Sequence, residues 1–216
     1  MSEDLDFSVT NELCIDRKSR RILADALRDI IPGLLAEAGL REVSAFKGFN
    51  ESRQYNAVFG YDSVAASQDI IKFEVGFRGE LMLEPEVAAL KTLMQKTFSN
   101  EPYFSPFSAL VLSKNEAYAE KVRAALSRKT PAIRDFYDLE AILESGFDLC
   151  DLDFLTLVQR KLRVSEDNQV NLTKSKELFL SGRIASELAG VLQADVIFSL
   201  EKSWKILEKI VQMLPD

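Results

Sequence analysis

The chain has 216 residues, of which 47% are hydrophobic and 28% charged, and its formal net charge is −7. This composition is typical of a soluble globular protein, and the acidic balance argues against indiscriminate binding to nucleic acid. The sequence contains no histidine, which excludes His-based triads, His-liganded zinc and imidazole acid–base catalysis. No apolar run is long enough to span a bilayer and the acidic N-terminus does not resemble a secretory signal. We therefore expect a cytoplasmic protein with no membrane partner.

The front of the chain mixes strand and helix patterns. Strands are predicted from alternating, β-branched and aromatic residues at 4–10, 53–62 and 69–78. Segment 16–40 has helical spacing and ends at Gly39, and Pro32 predicts that this helix is kinked or split. A further helix is predicted at 85–97, beginning with Pro85 in its first turn.

Beyond residue 110 the pattern becomes almost wholly helical. Helices are predicted at 114–128, 134–145, 151–163, roughly 173–192 and roughly 195–213. The sequence therefore predicts an α+β protein. Residues 1–110 form a mixed sheet with flanking helices, and residues 111–216 form a helical domain.

The tetrapeptide DLDF occurs twice, at 4–7 and at 151–154. The second copy directly precedes a helical stretch, so we interpret Asp151 and Asp153 as acids that cap a helix start. The first copy lies on a predicted strand, where Asp4 and Asp6 share one face with Cα atoms about 7 Å apart. Two carboxylates in this arrangement can bind a hard cation such as Mg²⁺.

A third acid lies in the segment IKFEVGF, where alternation places Lys72, Glu74 and Gly76 on one face of a strand. Two acids from one strand and one from a neighbour would form a two-metal phosphoryl-transfer site. Alternatively, Glu74 faces solvent on a half-exposed sheet. The residues alone leave both interpretations open.

Three segments resemble motifs of the nucleotidyltransferase superfamily, and most closely those of the AbiEii/AbiGii toxin family. SEDLDF at 2–7 is similar to the metal motif of that family, and IKFEVGFR at 71–78 is similar to its third-carboxylate strand. The most specific likeness is AYAEKVRAALSRKTPAIRDFYDLEAIL at 117–143. It matches a helical motif at Glu120, Lys121, Ala124, Arg128, Arg134, Asp135, Tyr137, Asp138 and Leu139.

The resemblance implies Mg²⁺-dependent transfer of a nucleoside monophosphate from an NTP to an acceptor hydroxyl. It implies the toxin of a toxin–antitoxin or phage-defence (abortive infection) pair, with a cognate antitoxin and with RNA, tRNA in particular, as the acceptor. Asp4, Asp6 and Glu74 would be catalytic metal ligands, and Lys121 would be a catalytic cation facing the triphosphate or the acceptor. The implied nucleotide-binding or supporting positions are Ser2, Lys121, Arg128, Arg134, Asp135 and Asp138.

The spacing within 117–143 gives partial physical support to this motif. Lys121 and Arg128 lie seven residues apart and would share a helix face, as would Arg134 and Asp138 at i, i+4. The alternative is a pair of amphipathic helices that carry only surface ion pairs.

The chain departs from the family at its start. The family carries a strand and a Gly-Gly or Gly-Ser turn ahead of the metal motif. In this chain Met1 stands where the family has a Phe directly before the Ser of the motif, and the upstream elements have no counterpart in the sequence. We therefore expect a core without its first strand and phosphate-binding turn. The alternative function is a catalytically inactive, truncated remnant that acts as an interaction protein.

Two basic segments are candidates for phosphate contact, DRKSRR at 16–21 and RKTPAIR at 128–134. The simpler interpretation of DRKSRR, which the sequence favours, is a solvated helix start.

Overall fold

The computed structural model describes residues 4–9, 16–49, 52–62, 68–77, 81–92, 95–102, 104–164, 168–188 and 198–215. The chain forms two compact units, Met1–Glu80 and Leu81–Asp216. The start of the second unit is tied to its helices, because Met82 and Leu83 donate backbone hydrogen bonds to the Glu116 carboxylate at 3.3 and 3.2 Å. The division between the two units follows Glu80, and the domain boundary expected at residue 110 stays a prediction.

The first unit contains strand β1 (Asp4–Ser8), helix α1 (Arg17–Glu37) and strands β2 (Arg41–Phe49), β3 (Gln54–Tyr61) and β4 (Asp69–Gly76). The strands form one mixed sheet in the order β1-β4-β3-β2. β1 runs parallel to β4, whereas β3 is antiparallel to both β4 and β2. The three predicted strands are confirmed, and β2 was not predicted.

Helix α1 covers one face of this sheet. Leu23, Leu27 and Ile31 of the helix pack on a buried cluster from the strands: Phe46, Tyr55, Ala57, Phe59, Phe73, Val75 and Phe77. The helix runs unbroken through Pro32, so it is not split there. It ends as predicted before Gly39, whose φ of +81° is a left-handed conformation that glycine adopts readily.

The second unit begins with an antiparallel pair of strands, β5 (Glu86–Leu90) and β6 (Phe107–Val111). The predicted helix at 85–97 is therefore wrong. The segment EVAALK has good local helix propensity, but residues from Glu86 to Leu90 pair one by one with residues from Val111 to Phe107. Long-range strand pairing overrides a weak local preference.

The described residues that follow β6 in the second unit are mainly helical, as predicted. Its helices are α2 (Lys114–Ser127), α3 (Ile133–Glu144), α4 (Leu152–Val164), α5 (Lys174–Ser181), α6 (Ile184–Glu187) and α7 (Leu200–Met213). Of the stretch expected as one helix at 173–192, the part up to Leu188 forms two short helices, because α5 ends at its C-cap Gly182, and residues 189–192 lie outside the described ranges. In the core, the Phe136 and Trp204 rings stack with centroids 5.9 Å apart. Within the described ranges, none of the helices combines the length and apolarity that crossing a membrane requires.

The second DLDF copy starts α4. The Asp151 carboxylate accepts a hydrogen bond from the Phe154 N–H at 3.0 Å, and Asp153 lies in the first helical turn. Both positions suit an acid, since free N–H groups and the positive end of the helix dipole are located there. The interpretation of this copy as a helix start is confirmed.

Candidate functional site

The first DLDF copy places its two acids on the open face of the four-stranded sheet. Phe7 points toward α1, because its ring stacks on the buried Phe73 at 4.8 Å. Asp4 and Asp6 alternate with Phe7 along β1 and therefore point to the opposite face. In the parallel register Asp4 lies beside Lys72 and Asp6 beside Glu74, so both predicted acidic segments meet on one face.

The register extends this arrangement across all four strands. One row runs Asp6, Glu74, Asn56, Lys47, and the next row runs Asp4, Lys72, Val58, Ser44. All eight residues line a pocket of about 450 Å³. The pocket thus combines carboxylates with two lysines, an amide and a hydroxyl, which are groups that can bind a metal and a phosphorylated ligand.

The donor set of this pocket fits Mg²⁺. Mg²⁺ is a hard cation that prefers oxygen ligands and is usually held by one or two carboxylates together with waters and substrate phosphates. Asp4, Asp6 and Glu74 supply such oxygens on one face. Across the described part of the chain, no three Asp, Glu, Cys or His side chains already stand close enough to enclose a metal ion. The three carboxylates therefore line one pocket without forming a closed metal cage.

The sequence did not predict three polar residues of the pocket, Ser44, Lys47 and Asn56. Lys47 and Asn56 face the carboxylates through the pairing of β2 with β3. β2 was not recognised, because register shifts between Glu42 and Ser44 and between Ser44 and Lys47 break its alternation. Ser2, predicted to bind nucleotide, lies outside the described residues.

The helical motif in the second unit forms two ion pairs that connect α2 to α3. Lys121 Nζ lies 2.6 Å from an Asp138 oxygen, and Arg128 lies 3.0 Å from Asp135. Arg128 is the C-cap residue of α2, so it extends from the helix end rather than from a face shared with Lys121. Arg134 is exposed and makes no ion pair within the described ranges, and Asp138 pairs with Lys121 instead. The motif thus fixes the α2–α3 corner by cross-helix pairs.

Asp135 is the buried acid of this corner. It is only 5% exposed, and burial raises the pKa of its carboxyl, while the positive charges of Arg128 and Lys121 act in the opposite direction. A carboxylate this deep requires a partner, because an unpaired buried charge is costly. The Arg128 guanidinium is that partner, so Asp135 holds Arg128 at the end of α2.

Lys176 of α5 is a second buried charge near the same corner, and no sequence pattern marked it. Its ammonium donates hydrogen bonds to the carbonyl oxygens of Ala125 at 2.7 Å and Leu126 at 3.4 Å. Burial lowers the pKa of Lys176 to about 8, and Asp135 acts in the opposite direction. Lys176 therefore stabilises the last turn of α2, just before Arg128.

Lys176 is expected to make stability depend on pH. In the unfolded chain Lys176 has its ordinary pKa of 10.5 and keeps its proton up to about that pH. In the folded protein its pKa is about 8, so Lys176 releases its proton from about pH 8. Because the unfolded state binds more protons in this window, the free energy of unfolding rises with pH, by about 1–3 kcal/mol. Lys176→Met removes this rise, which urea titrations at about pH 8 and about pH 10, followed by the fluorescence of Trp204, would detect.

Lys174→Met is the matched control, because Lys174 lies on the same helix and pairs with Glu177 at the surface. It should keep the pH dependence of the unmodified protein. An identical pH dependence in Lys176→Met and the unmodified chain would show that Lys176 does not titrate in this window.

Comparison with known proteins identifies the class. A family model described as nucleotidyl transferase AbiEii toxin, type IV TA system, matches residues 1–201. The chain is a nucleotidyltransferase, and it belongs to the AbiEii toxin family of type IV toxin–antitoxin systems. No curated protein matches its sequence significantly. It is similar to the solved structure of MenT4, a nucleotidyltransferase toxin from Mycobacterium tuberculosis H37Rv. That match has 17% identity and a TM-score of 0.47, and covers 99% of this chain and 77% of that one.

Proposed function

We propose that this protein is a Mg²⁺-dependent toxin that transfers a nucleoside monophosphate from an NTP to a hydroxyl of RNA, with tRNA as the leading candidate acceptor. It would act in the cytoplasm and be restrained by a cognate antitoxin. The observation that carries the proposal is the meeting of Asp4, Asp6 and Glu74 in one pocket. These acids come from two separate segments, and both belong to the matched family region.

The reaction joins the acceptor oxygen to the α-phosphorus, breaks the bond from that phosphorus to the bridging oxygen, and releases pyrophosphate together with the proton of the acceptor hydroxyl. Asp4, Asp6 and Glu74 would hold Mg²⁺, which when bound activates the hydroxyl and stabilises the leaving group. Lys72, beside Asp4, and Lys47 on β2 are placed to bind triphosphate oxygens in the same pocket. Asn56 can accept or donate a hydrogen bond and so help to orient the nucleotide.

The cations of the second unit have a proposed supporting role. Lys121 would face the triphosphate or the acceptor, and its pairing with Asp138 at 2.6 Å limits the orientations of its side chain. Arg128 and Arg134 are exposed at the α2–α3 corner, where they can contact RNA phosphates. Asp135 would act through Arg128 rather than contact a substrate, because the Asp135 carboxylate is buried and pairs with the Arg128 guanidinium.

A transfer assay tests the proposal directly. The protein is incubated with total RNA and each labelled NTP in turn, in Mg²⁺ or in EDTA. We expect labelled RNA with at least one NTP and only in Mg²⁺, because the carboxylate pocket needs a cation to receive a triphosphate. Equal labelling in EDTA would contradict the metal requirement. Absence of labelled RNA with every NTP would contradict transfer to RNA.

A further inference from the structure

A second pocket in the first unit lies against the N-terminal half of α1 and the end of the β2–β3 hairpin. Its volume is about 570 Å³, and its lining comprises Arg17, Lys18, Arg21, Asp25, Arg28, Gly48, Ser52 and Tyr55. Of the described lining residues, four are basic and only one is acidic. This excess of positive charge occurs in a chain whose net charge is −7, so the pocket is electrostatically unlike the chain as a whole.

The pocket is separate from the carboxylate pocket. Tyr55 belongs to the buried cluster beneath α1, and Gly48 is its direct partner in the sheet. Asn56, the next residue along β3, lines the carboxylate pocket on the other face. The two pockets therefore lie on opposite faces of the same four-stranded sheet.

The helical spacing of the lining residues explains how the charges come together. Arg17, Arg21, Asp25 and Arg28 are separated by four, four and three residues, so they form one stripe along α1. The stripe extends about 16 Å along the helix axis, at about 1.5 Å per residue. That length exceeds what a single phosphate can contact, and it suits successive phosphates of a strand.

Part of this positive charge is not balanced by acidic residues of the chain. Asp25 accepts a hydrogen bond from Arg28 at 2.7 Å and lies 3.9 Å from Arg21. Arg17 and Lys18 make no ion pair in the part of the chain that the structure describes. Asp16 caps the helix, since it accepts a hydrogen bond from the Ser19 N–H at 2.7 Å, and its charge also attracts Lys18. Two arginines converging on one carboxylate show that the stripe can surround an anion.

We propose that this stripe, Arg17, Lys18, Arg21 and Arg28, is a docking site for the phosphodiester backbone of a nucleic-acid strand. A solvated helix start would account for exposed basic residues, but not for their alignment along a pocket walled by the β2–β3 hairpin. Guanidinium and ammonium groups bind phosphate oxygens without reading sequence. The site needs no metal, so its occupancy is independent of the transfer reaction.

The test measures binding of a labelled single-stranded RNA by fluorescence anisotropy, in EDTA and over a series of salt concentrations. The triple variant Arg17→Gln/Lys18→Gln/Arg21→Gln is expected to lower the slope of log K against log salt by about 2, at about 0.7 for each lost phosphate contact. At about 0.1 M salt this corresponds to about a hundredfold weaker binding. A DNA strand of the same sequence should behave similarly, because the site reads the backbone.

Two further variants complete the design. Arg41→Gln removes one positive charge at the far end of β2, where Arg41 pairs with Asp62 at 2.6 Å, and should leave RNA binding unchanged. Asp25→Asn frees two arginines for the ligand and should tighten binding, which keeps the test decisive if the triple variant does not fold. An unaltered affinity and salt slope in both the triple variant and Asp25→Asn would overturn the proposal. Binding of inorganic phosphate or of anionic phospholipid vesicles without RNA binding would also overturn it.

Discussion

Asp6→Asn is expected to reduce nucleotidyl transfer at least about a thousandfold while leaving the fold intact. Asp6 is exposed on the edge strand β1, so its replacement by an isosteric amide disturbs no core contact. Asp6 lies beside Glu74 on the neighbouring strand β4. Loss of one carboxylate leaves the proposed Mg²⁺ site with too little negative charge to hold a metal–triphosphate complex. The transfer assay with labelled NTP and RNA measures the loss, and circular dichroism measures the fold.

The sequence supplies its own control for this experiment. Asp153→Asn makes the same chemical change in the same tetrapeptide, DLDF, but at an exposed position in the first turn of α4. Its transfer rate should equal that of the unmodified protein, because Asp153 contributes only to the helix start. Equal rates for Asp6→Asn and the unmodified protein would refute the assignment of Asp6 as a metal ligand.

Lys161→Met is expected to destabilise the second unit by about 3–5 kcal/mol. Glu116 is 1% exposed and Lys161 is 7% exposed, and their charged atoms lie 2.5 Å apart. Removal of Lys161 would leave a buried carboxylate with the backbone N–H groups of Met82 and Leu83 as neutral partners. Trp204, the single tryptophan of the chain, lies in the core of this unit, and its fluorescence during urea titration reports the change.

Lys205→Met provides the comparison for Lys161→Met. Lys205 also pairs with a glutamate, Glu201, at 2.6 Å, but both side chains are exposed on α7. The denaturation midpoint should not change measurably, since solvent screens such pairs. The double variant Glu116→Gln/Lys161→Met should recover part of the lost stability, because a neutral amide is cheaper to bury than a charge. A single variant as stable as the unmodified chain would show that Lys161 does not balance Glu116.

The sequence predicted elements whose pattern is local. β1, β3 and β4 alternate regularly, and α2, α3 and α4 each have an apolar face with helical spacing. Prediction from the sequence failed at elements whose structure depends on pairing with another strand. β5 contains good helix formers, and it is a strand because β6 lies beside it. β2 has an interrupted alternation whose irregularities appear only when its register with β3 is known.

The same distinction applies to the candidate site. Alternation alone placed Asp4 and Asp6 on one face of one strand and Glu74 on a face of another, but the parallel pairing of β1 with β4 is what brings the three acids together. The contribution of Lys47 requires the strand order and could not be read from spacing. Likewise, the helical motif fixed which charges are present but not their partners: Lys121 pairs with Asp138 across two helices, and Arg134 stays exposed.

The charge of the side chains changes from negative to positive along the row Asp6, Glu74, Asn56 and Lys47 on the open face of the sheet. The row passes from the carboxylates of Asp6 and Glu74, through the neutral amide of Asn56, to the ammonium of Lys47. Since neighbouring strands lie about 4.8 Å apart, the change from negative to positive extends over about 14 Å. A molecule with one highly charged end and one neutral end cannot lie along such a gradient equally well in both directions. In the proposed function, this order of charges would favour one orientation of the nucleotide along the row.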